Sequence, residues 1–270
     1  MNGGSGPDLL GICEVENEFV VERLTDRVNA QLPTRGYEIV HADTVDERGI
    51  DVAFLFDPSL FAAPPTERFQ HIVMRRTATR EIFQVNFETH RTRTWAVFGN
   101  HWPSRSGGTL ESAGYRAIAG ETLAFFHQRV GEVHGEQTPA LAMGDFNDEP
   151  FDASLVQYAL STRQRSKVLR GASPRFLNLM WETMGTREAT FYFDNFANFL
   201  DQFLVNKNML AATSPIRVVP GTVEIIRFPG MFDPAATYQA PIRFGGMGKP
   251  VNPNGFSDHF PIGVQVEEAD

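Results

Sequence analysis

The chain has 270 residues, 42% of them hydrophobic, with a single cysteine and a formal net charge of −9. That length and apolar content suffice for one large buried core or two modest ones. The charge speaks against a broad basic surface for gripping nucleic acid, lone Cys13 excludes an intrachain disulfide or a cysteine-cluster zinc site, and no run reaches the ~18 apolar residues of a membrane-spanning helix.

In chain order, Met1–Pro7 is linker-like and lacks the basic and apolar regions of a signal peptide. A cytoplasmic location is therefore the default expectation, with secretion or periplasmic export left open should a segment precede Met1. Asp8-Leu9-Leu10-Gly11-Ile12-Cys13-Glu14 reads as a buried strand delivering Glu14 and Glu16 at its end. A start so close to a core element creates the expectation that something normally precedes it. Phe19–Leu32 has helical periodicity, with Val20, Leu24, Val28 and Leu32 on one stripe, and Pro33 stops it. Tyr37–Ala42 and Asp51–Phe56 read as strands joined by a polar turn through Asp46–Gly49, and Ile82–Phe87 and Thr94–Asn100 as a second pair.

The polar loop His101–Gly108 leads to the clearest helix, with Tyr115, Ile118, Leu123, Phe126, Val130 and Val133 on one face. Thr138–Ala142 reads as a short strand ending in Met143-Gly144-Asp145-Phe146-Asn147-Asp148, a helix is expected near Asp152, and Phe176–Phe199 is rich in aromatics. Leu200–Val205 is a strand with one acid in an apolar run. Residues 206–255, including Arg243–Gly248, read as a long loop with a strand at Val223–Arg227, before Phe256-Ser257-Asp258-His259 and an alternating strand through Val264 and Val266. There is no repeat and no interdomain linker, so residues 1–270 are expected to form one domain.

Glu14, His101, Asp145, Asn147, Asp201, Asp258 and His259 all stand at or beside these strand-like segments. Carboxylates there are costly unless paired or bound to a cation. Oxygen donors without cysteine favour Mg²⁺, Mn²⁺ or Ca²⁺, and histidines add proton donors near neutral pH. Residues two apart on an extended segment point the same way, so Asp145 and Asn147 can face one target. The plainer alternatives are a turn at Gly144–Asp148, a solvated strand end at Glu14 and Glu16, and a turn at Ser257–His259. A serine-hydrolase triad is a poor reading of Ser257-Asp258-His259, because adjacency in sequence is not triad geometry.

Taken together, Pro7–Glu16, Asn100-His101-Trp102-Pro103-Ser104, Gly144-Asp145-Phe146-Asn147, Leu200-Asp201-Gln202 and Ser257-Asp258-His259 resemble the endonuclease/exonuclease/phosphatase superfamily, in the same order and over nearly the whole chain. The resemblance implies a four-layer α-β-β-α sandwich of the DNase I type and Mg²⁺- or Mn²⁺-dependent hydrolysis of a phosphoester, most simply a phosphodiester. It implies Glu14 as metal ligand, Asp145 as the group that orients or deprotonates water, and Asn147 as its neighbour on metal and phosphate. Asp201 is implied to orient His259, His259 and His101 to hold the phosphate, and Asp258 to lie near the metal. Arg105 and Arg116 are candidates for phosphate binding, and Asp51 for the partner of His101.

Cys13 stands where the family commonly has glutamine. The family's first strand, with its asparagine, has no counterpart before Glu14, which leads us to expect an exposed sheet edge or a gap filled by another segment. The alternatives are a phosphomonoesterase on a small or lipid-linked phosphate and an inactive binding module of the same fold. The expected partner is thus a phosphoester substrate (nucleic acid, lipid or small molecule), with no stable membrane insertion and the oligomeric state open.

Overall fold

The structure is a computed structural model that describes residues 2–46, 49–186, 188–245 and 250–270. Met1 of the expected linker, Glu47 and Arg48 of the expected turn and Gly246–Gly248 of the expected loop lie outside the described residues.

Strand β1 (Leu9–Val15), helix α1 (Glu18–Gln31), β2 (Glu38–Ala42) and β3 (Asp51–Phe56) come first. They build a three-stranded antiparallel sheet in the order β1-β3-β2, in which β1 pairs with β3 alone among the described residues. Asn17 caps α1, its side-chain oxygen accepting from the Val20 amide at 3.1 Å. The predicted stripe on this helix is half right: Val28 and Leu32 pack against the cluster beneath the small sheet, but Val20 and Leu24 do not. Val21 and Thr25 are buried, and Val20 and Leu24 are 42% and 44% exposed. The inward face meets Tyr37 and Leu55 beneath the small sheet, so tertiary contact and not apolar count selects it.

Next come β4 (Phe61–Ala62), β5 (Arg68–His71), β6 (Ile82–Thr89), β7 (Thr94–His101), α2 (Thr109–His134) and β8 (Ala140–Asp145). The chain continues through β9 (Ser161–Thr162), α3 (Arg165–Arg170), β10 (Phe176–Asn178), β11 (Phe191–Phe193), β12 (Phe196–Asn198) and β13 (Asp201–Val205). An eight-stranded sheet runs β4-β6-β7-β8-β13-β10-β9, with β5 also on β6. The expected helix near Asp152 is instead a π-helical turn at Ser154–Tyr158, and α3 was not anticipated. The turn sits directly on α2, where a Cβ on Gly120 would lie 2.4 Å from the Ser154 carbonyl, so packing against the helix shapes it.

Three apolar clusters stack through the molecule. One joins α1 to the small sheet, and a second, with Phe54, Phe56, Phe83, Phe87 and Phe203, fills the space between the two sheets. The third lies between the large sheet and α2. Here too the predicted stripe is only partly right: Leu123 and Val130 are buried, whereas Ile118 and Val133 are 38% and 62% exposed. Ala119, Gly120, His127 and Arg116 occupy the inward face instead. Close approach of the sheets is written into Gly99, where a Cβ would lie 2.6 Å from Val52 Cγ1.

Within 206–255 the structure adds β14 (Ile216–Val218), and the expected strand at Val223–Arg227 shrinks to β15 (Glu224–Ile225). The last expected strand divides into β16 (Ile262–Gly263), paired with β15, and β17 (Val266–Glu268), paired with β14.

Candidate active site

Three adjacent strands of the large sheet end in one line. His101 closes β7 opposite Asp145, the last residue of the parallel β8, and Asp145 stands opposite Asp201, the first residue of the antiparallel β13. Neighbouring strands lie ~4.8 Å apart, so the row spans about 10 Å across the sheet. Gly144 has φ 130°, and a Cβ there would sit 2.0 Å from the Asn100 carbonyl oxygen. No other residue fits just before Asp145.

Asn147 follows in a left-handed conformation, φ 51°. Its backbone N–H donates to Asp145 Oδ1 at 2.8 Å, and its Nδ2 donates to Asp145 Oδ2 at 2.7 Å and to the Trp102 carbonyl at 3.0 Å. The turn alternative is therefore half right: the strand runs through Asp145 and the chain bends at Asn147–Asp148, bringing Asn147 back onto Asp145. Burial pushes the Asp145 carboxyl well above the usual carboxylate range, the charge of His259 opposes this, and Asp201 adds to it.

His259 arrives from the far end of the chain. Its Nδ1 lies 2.7 Å from Asp201 Oδ2, and its ring packs 4.7 Å from that of Phe191. Burial disfavours its charge, yet the charge and hydrogen bond of Asp201, with Asp145 and Asp258 behind, raise its pKa to about 10. It is an imidazolium at neutral pH, with Nε2 turned away from Asp201.

Glu14 occupies a bulge between Cys13 and Val15 with φ 60°, a strained setting for a non-glycine residue. Its Oε1 is 3.9 Å and Asp145 Oδ2 is 3.8 Å from the same atom, His101 Nε2. Two hard oxygen donors from different sheets thus converge beside one imidazole. The Glu14 side chain is 66% exposed, and burial disfavours the Asp145 charge. That donor set suits Mg²⁺ or Mn²⁺. Cys13 is not a soft competitor, because burial pushes its thiol up to about 12 and its Sγ faces the Asn100 carbonyl at 3.4 Å.

Four of the expected residues have partners that the sequence did not reveal. Asp51 is bound to His41, its Oδ2 2.9 Å from His41 Nε2, and its Oδ1 accepts from the Thr44 amide, so it is not the partner of His101. Asp258 lies 3.6 Å from Arg243, and its charge also favours the protonated form of His259. Arg116 is fully buried and Arg105 largely so, and both reach Asp148 Oδ1, at 2.7 and 3.3 Å. Arg105 also bonds the Asn147 carbonyl at 2.6 Å and Asp152 at 3.1 Å. These arginines hold the loop after Asp145.

Sequence reasoning missed three supports. Asp148 anchors the loop through both arginines, through Ser154 and, by its carbonyl, through Gln202 Nε2 at 2.6 Å. Arg80 donates to the carbonyls of His101 (3.2 Å) and Trp102 (2.8 Å), fixing the end of β7. Asn100 Oδ1 accepts from Trp102 Nε1 at 2.9 Å. The only available signal was a charge placed next to an apolar run. Elsewhere, His41, Asp43 and Asp51 have ligand atoms within 4.8 Å of one another, but Asp51 is already committed to His41 and Thr44.

Mixed α/β architecture with two facing sheets, and a polar row at the strand ends of the larger one, define a DNase I-like fold. A profile of the Endonuclease/Exonuclease/phosphatase family matches residues 1–268. The chain belongs to that family. No match is found among curated protein sequences. Among solved structures it is similar to the human Nocturnin catalytic domain with bound sulfate, at 15% identity and TM-score 0.59, covering 97% of this chain and 82% of that one. A mannosyl-6-phosphatase from Bacteroides thetaiotaomicron aligns at 14% identity and TM-score 0.57, covering 96% and 85%. D. rerio TDP2 complexed with a single-strand DNA product aligns at 13% identity and TM-score 0.59, covering 97% and 86%. At these identities the likeness shows the fold.

Proposed function

We propose that the protein is a divalent-metal-dependent phosphoesterase that hydrolyses a phosphodiester by attack of water on phosphorus. The observation that carries this reading is the His101–Asp145–Asp201 row with His259 held on Asp201 at 2.7 Å. Glu14, with Asp145 and Asn147, would hold Mg²⁺ or Mn²⁺, which when bound supplies charge neutralisation at the phosphate.

The chain's own residues account for the rest. Asp145, lifted by burial above the usual carboxylate range, accepts the proton of the attacking water. The imidazolium of His259 presents Nε2 to a nonbridging oxygen, and Asp201 keeps it charged and oriented while negative charge builds up. His101, 3.8 Å from Asp145, faces the same point from the other side of the row. The clamp on Asp148 fixes the loop that carries Asn147.

A second reading, phosphomonoester hydrolysis, draws on the acidic balance of the chain and on the similarity to a mannosyl-6-phosphatase. One experiment separates them: turnover of bis-p-nitrophenyl phosphate against p-nitrophenyl phosphate with Mg²⁺, Mn²⁺ or EDTA, beside His259→Ala. Diester turnover that EDTA and His259→Ala both abolish is expected. Turnover of the monoester alone moves the assignment to a phosphatase. Folded protein with no turnover of either ester sends the test on to nucleic-acid and lipid phosphoesters, and silence there favours a binding module.

A further inference from the structure

The β11–β12 hairpin closes on a two-residue turn, Asp194-Asn195, with both residues at positive φ (46° and 67°), the geometry of a tight hairpin turn. Residues 193–197 are all exposed, so the tip stands out from the body. Phe193 and Phe196 are directly cross-strand partners and share one face, with Phe191 two residues back on the same face. Phe193 is 64% and Phe196 76% exposed. The apolar strip therefore starts at His259, whose ring lies 4.7 Å from that of Phe191, and runs outward about 7 Å to the tip, by strand rise.

The hairpin is held firmly at its base. The Thr190 amide bonds the Asn198 carbonyl at 3.0 Å, and the Phe260 amide bonds the Thr190 carbonyl at 2.8 Å. On the opposite face, Tyr192 packs into the core and edge-on to Phe260. The strands that carry the exposed phenylalanines are thus anchored at their base. A second exposed pair stands edge-to-face: Phe256 (52%), just before Ser257–His259, and Phe228 (45%) from an earlier loop.

Shape and charge select the occupant. A protruding tip offers no concavity for a small molecule. A nucleic-acid strand would need cations along its track. Here Asp194 sits at the tip, while Arg105 and Arg243 at the base are taken by Asp148, Asp152 and Asp258. What remains at the tip is an exposed apolar pair beside one acid, Asp194, a combination that disfavours an anionic surface or strand. We infer that the Phe193/Phe196 tip seats the protein on a neutral lipid surface and so brings His259 to lipid phosphoesters at that surface. The substrate part of this inference rests on the phosphoesterase reading above; the seating does not.

The test uses the full chain with sedimented vesicles of pure phosphatidylcholine, wild type beside Phe193→Ser/Phe196→Ser. Wild type is expected to co-sediment. The double variant should lose binding by about tenfold or more, from two exposed rings, and should keep wild-type melting and wild-type turnover of soluble bis-p-nitrophenyl phosphate. Equal sedimentation of both proteins, or none by wild type, overturns the seating. So does a shift from dimer to monomer on light scattering, which would make a second copy the occupant, or loss of binding to a single-stranded oligonucleotide, which would make it nucleic acid. Vesicle binding is read without turnover, so an inactive protein that still binds refutes the phosphoesterase reading and leaves the seating intact.

Discussion

The Asp148 clamp gives the sharpest test of how the site is held. Asp148→Asn keeps the side chain's volume but removes its charge. Arg105 would still have Asp152 at 3.1 Å. Arg116 would not be so placed: its Nε lies 2.7 Å from Asp148 Oδ1, and its remaining bonds go to Ser112 Oγ and to the carbonyls of Thr109 and Pro103. A guanidinium with none of its surface exposed would then lack a carboxylate, a loss that costs about 3–5 kcal/mol in a buried pair. At about 2–4 °C per kcal/mol for chains of roughly this size, melting should fall by roughly 6–20 °C. Replacing both partners, Arg116→Met/Asp148→Asn, removes the stranded charge and should melt well above the single variant. Circular dichroism at pH 7 on the wild type, both single variants and the double variant decides the matter. If Asp148→Asn melts within about 2 °C of wild type, or if the two losses simply add, the clamp is not the support described.

Two further outcomes follow from the same structure. Asp201→Asn removes the partner that keeps His259 charged, and should lower diester turnover by about 10²–10⁴-fold with little change in melting. Unchanged turnover would show that His259 acts without it. His127, buried and stacked 4.0 Å from Phe176, is held neutral: burial, and then Lys207, lowers its pKa from 6.5 to about 3. Its folded pKa lies below the unfolded one, so the stabilisation is complete above pH 6.5 and erodes as pH falls towards about 3. His127→Phe should flatten the fall in melting temperature over that window, and an unchanged slope would place the acid sensitivity elsewhere.

The local part of this site was legible in the chain. Gly144-Asp145-Phe146-Asn147 can be read as a strand end with a turn because only glycine tolerates the close pass at Asn100 and because asparagine accepts a left-handed backbone. Asp201 in an apolar run announced a buried acid in need of a partner, and His259 answers it. Short apolar runs bounded by polar turn residues marked β1, β3, β6 and β7 for an equally local reason. What periodicity could not fix was rotation and partnership. The inward faces of α1 and α2 were chosen by the sheets beneath them, which is why Val21 and not Val20 is buried.

Charge partners were likewise decided across the fold. Arg116 looks like any surface arginine in a helix, and only the arrival of Asp148 over α2 makes it a buried anchor. Asp51 and His41 lie 10 residues apart yet meet only because β2 and β3 are neighbours in register. A carboxylate's environment depends on which distant strands bury it. The sequence by itself determined which residues could carry the chemistry, and the tertiary structure decided which of them stand in one row and which hold that row in place.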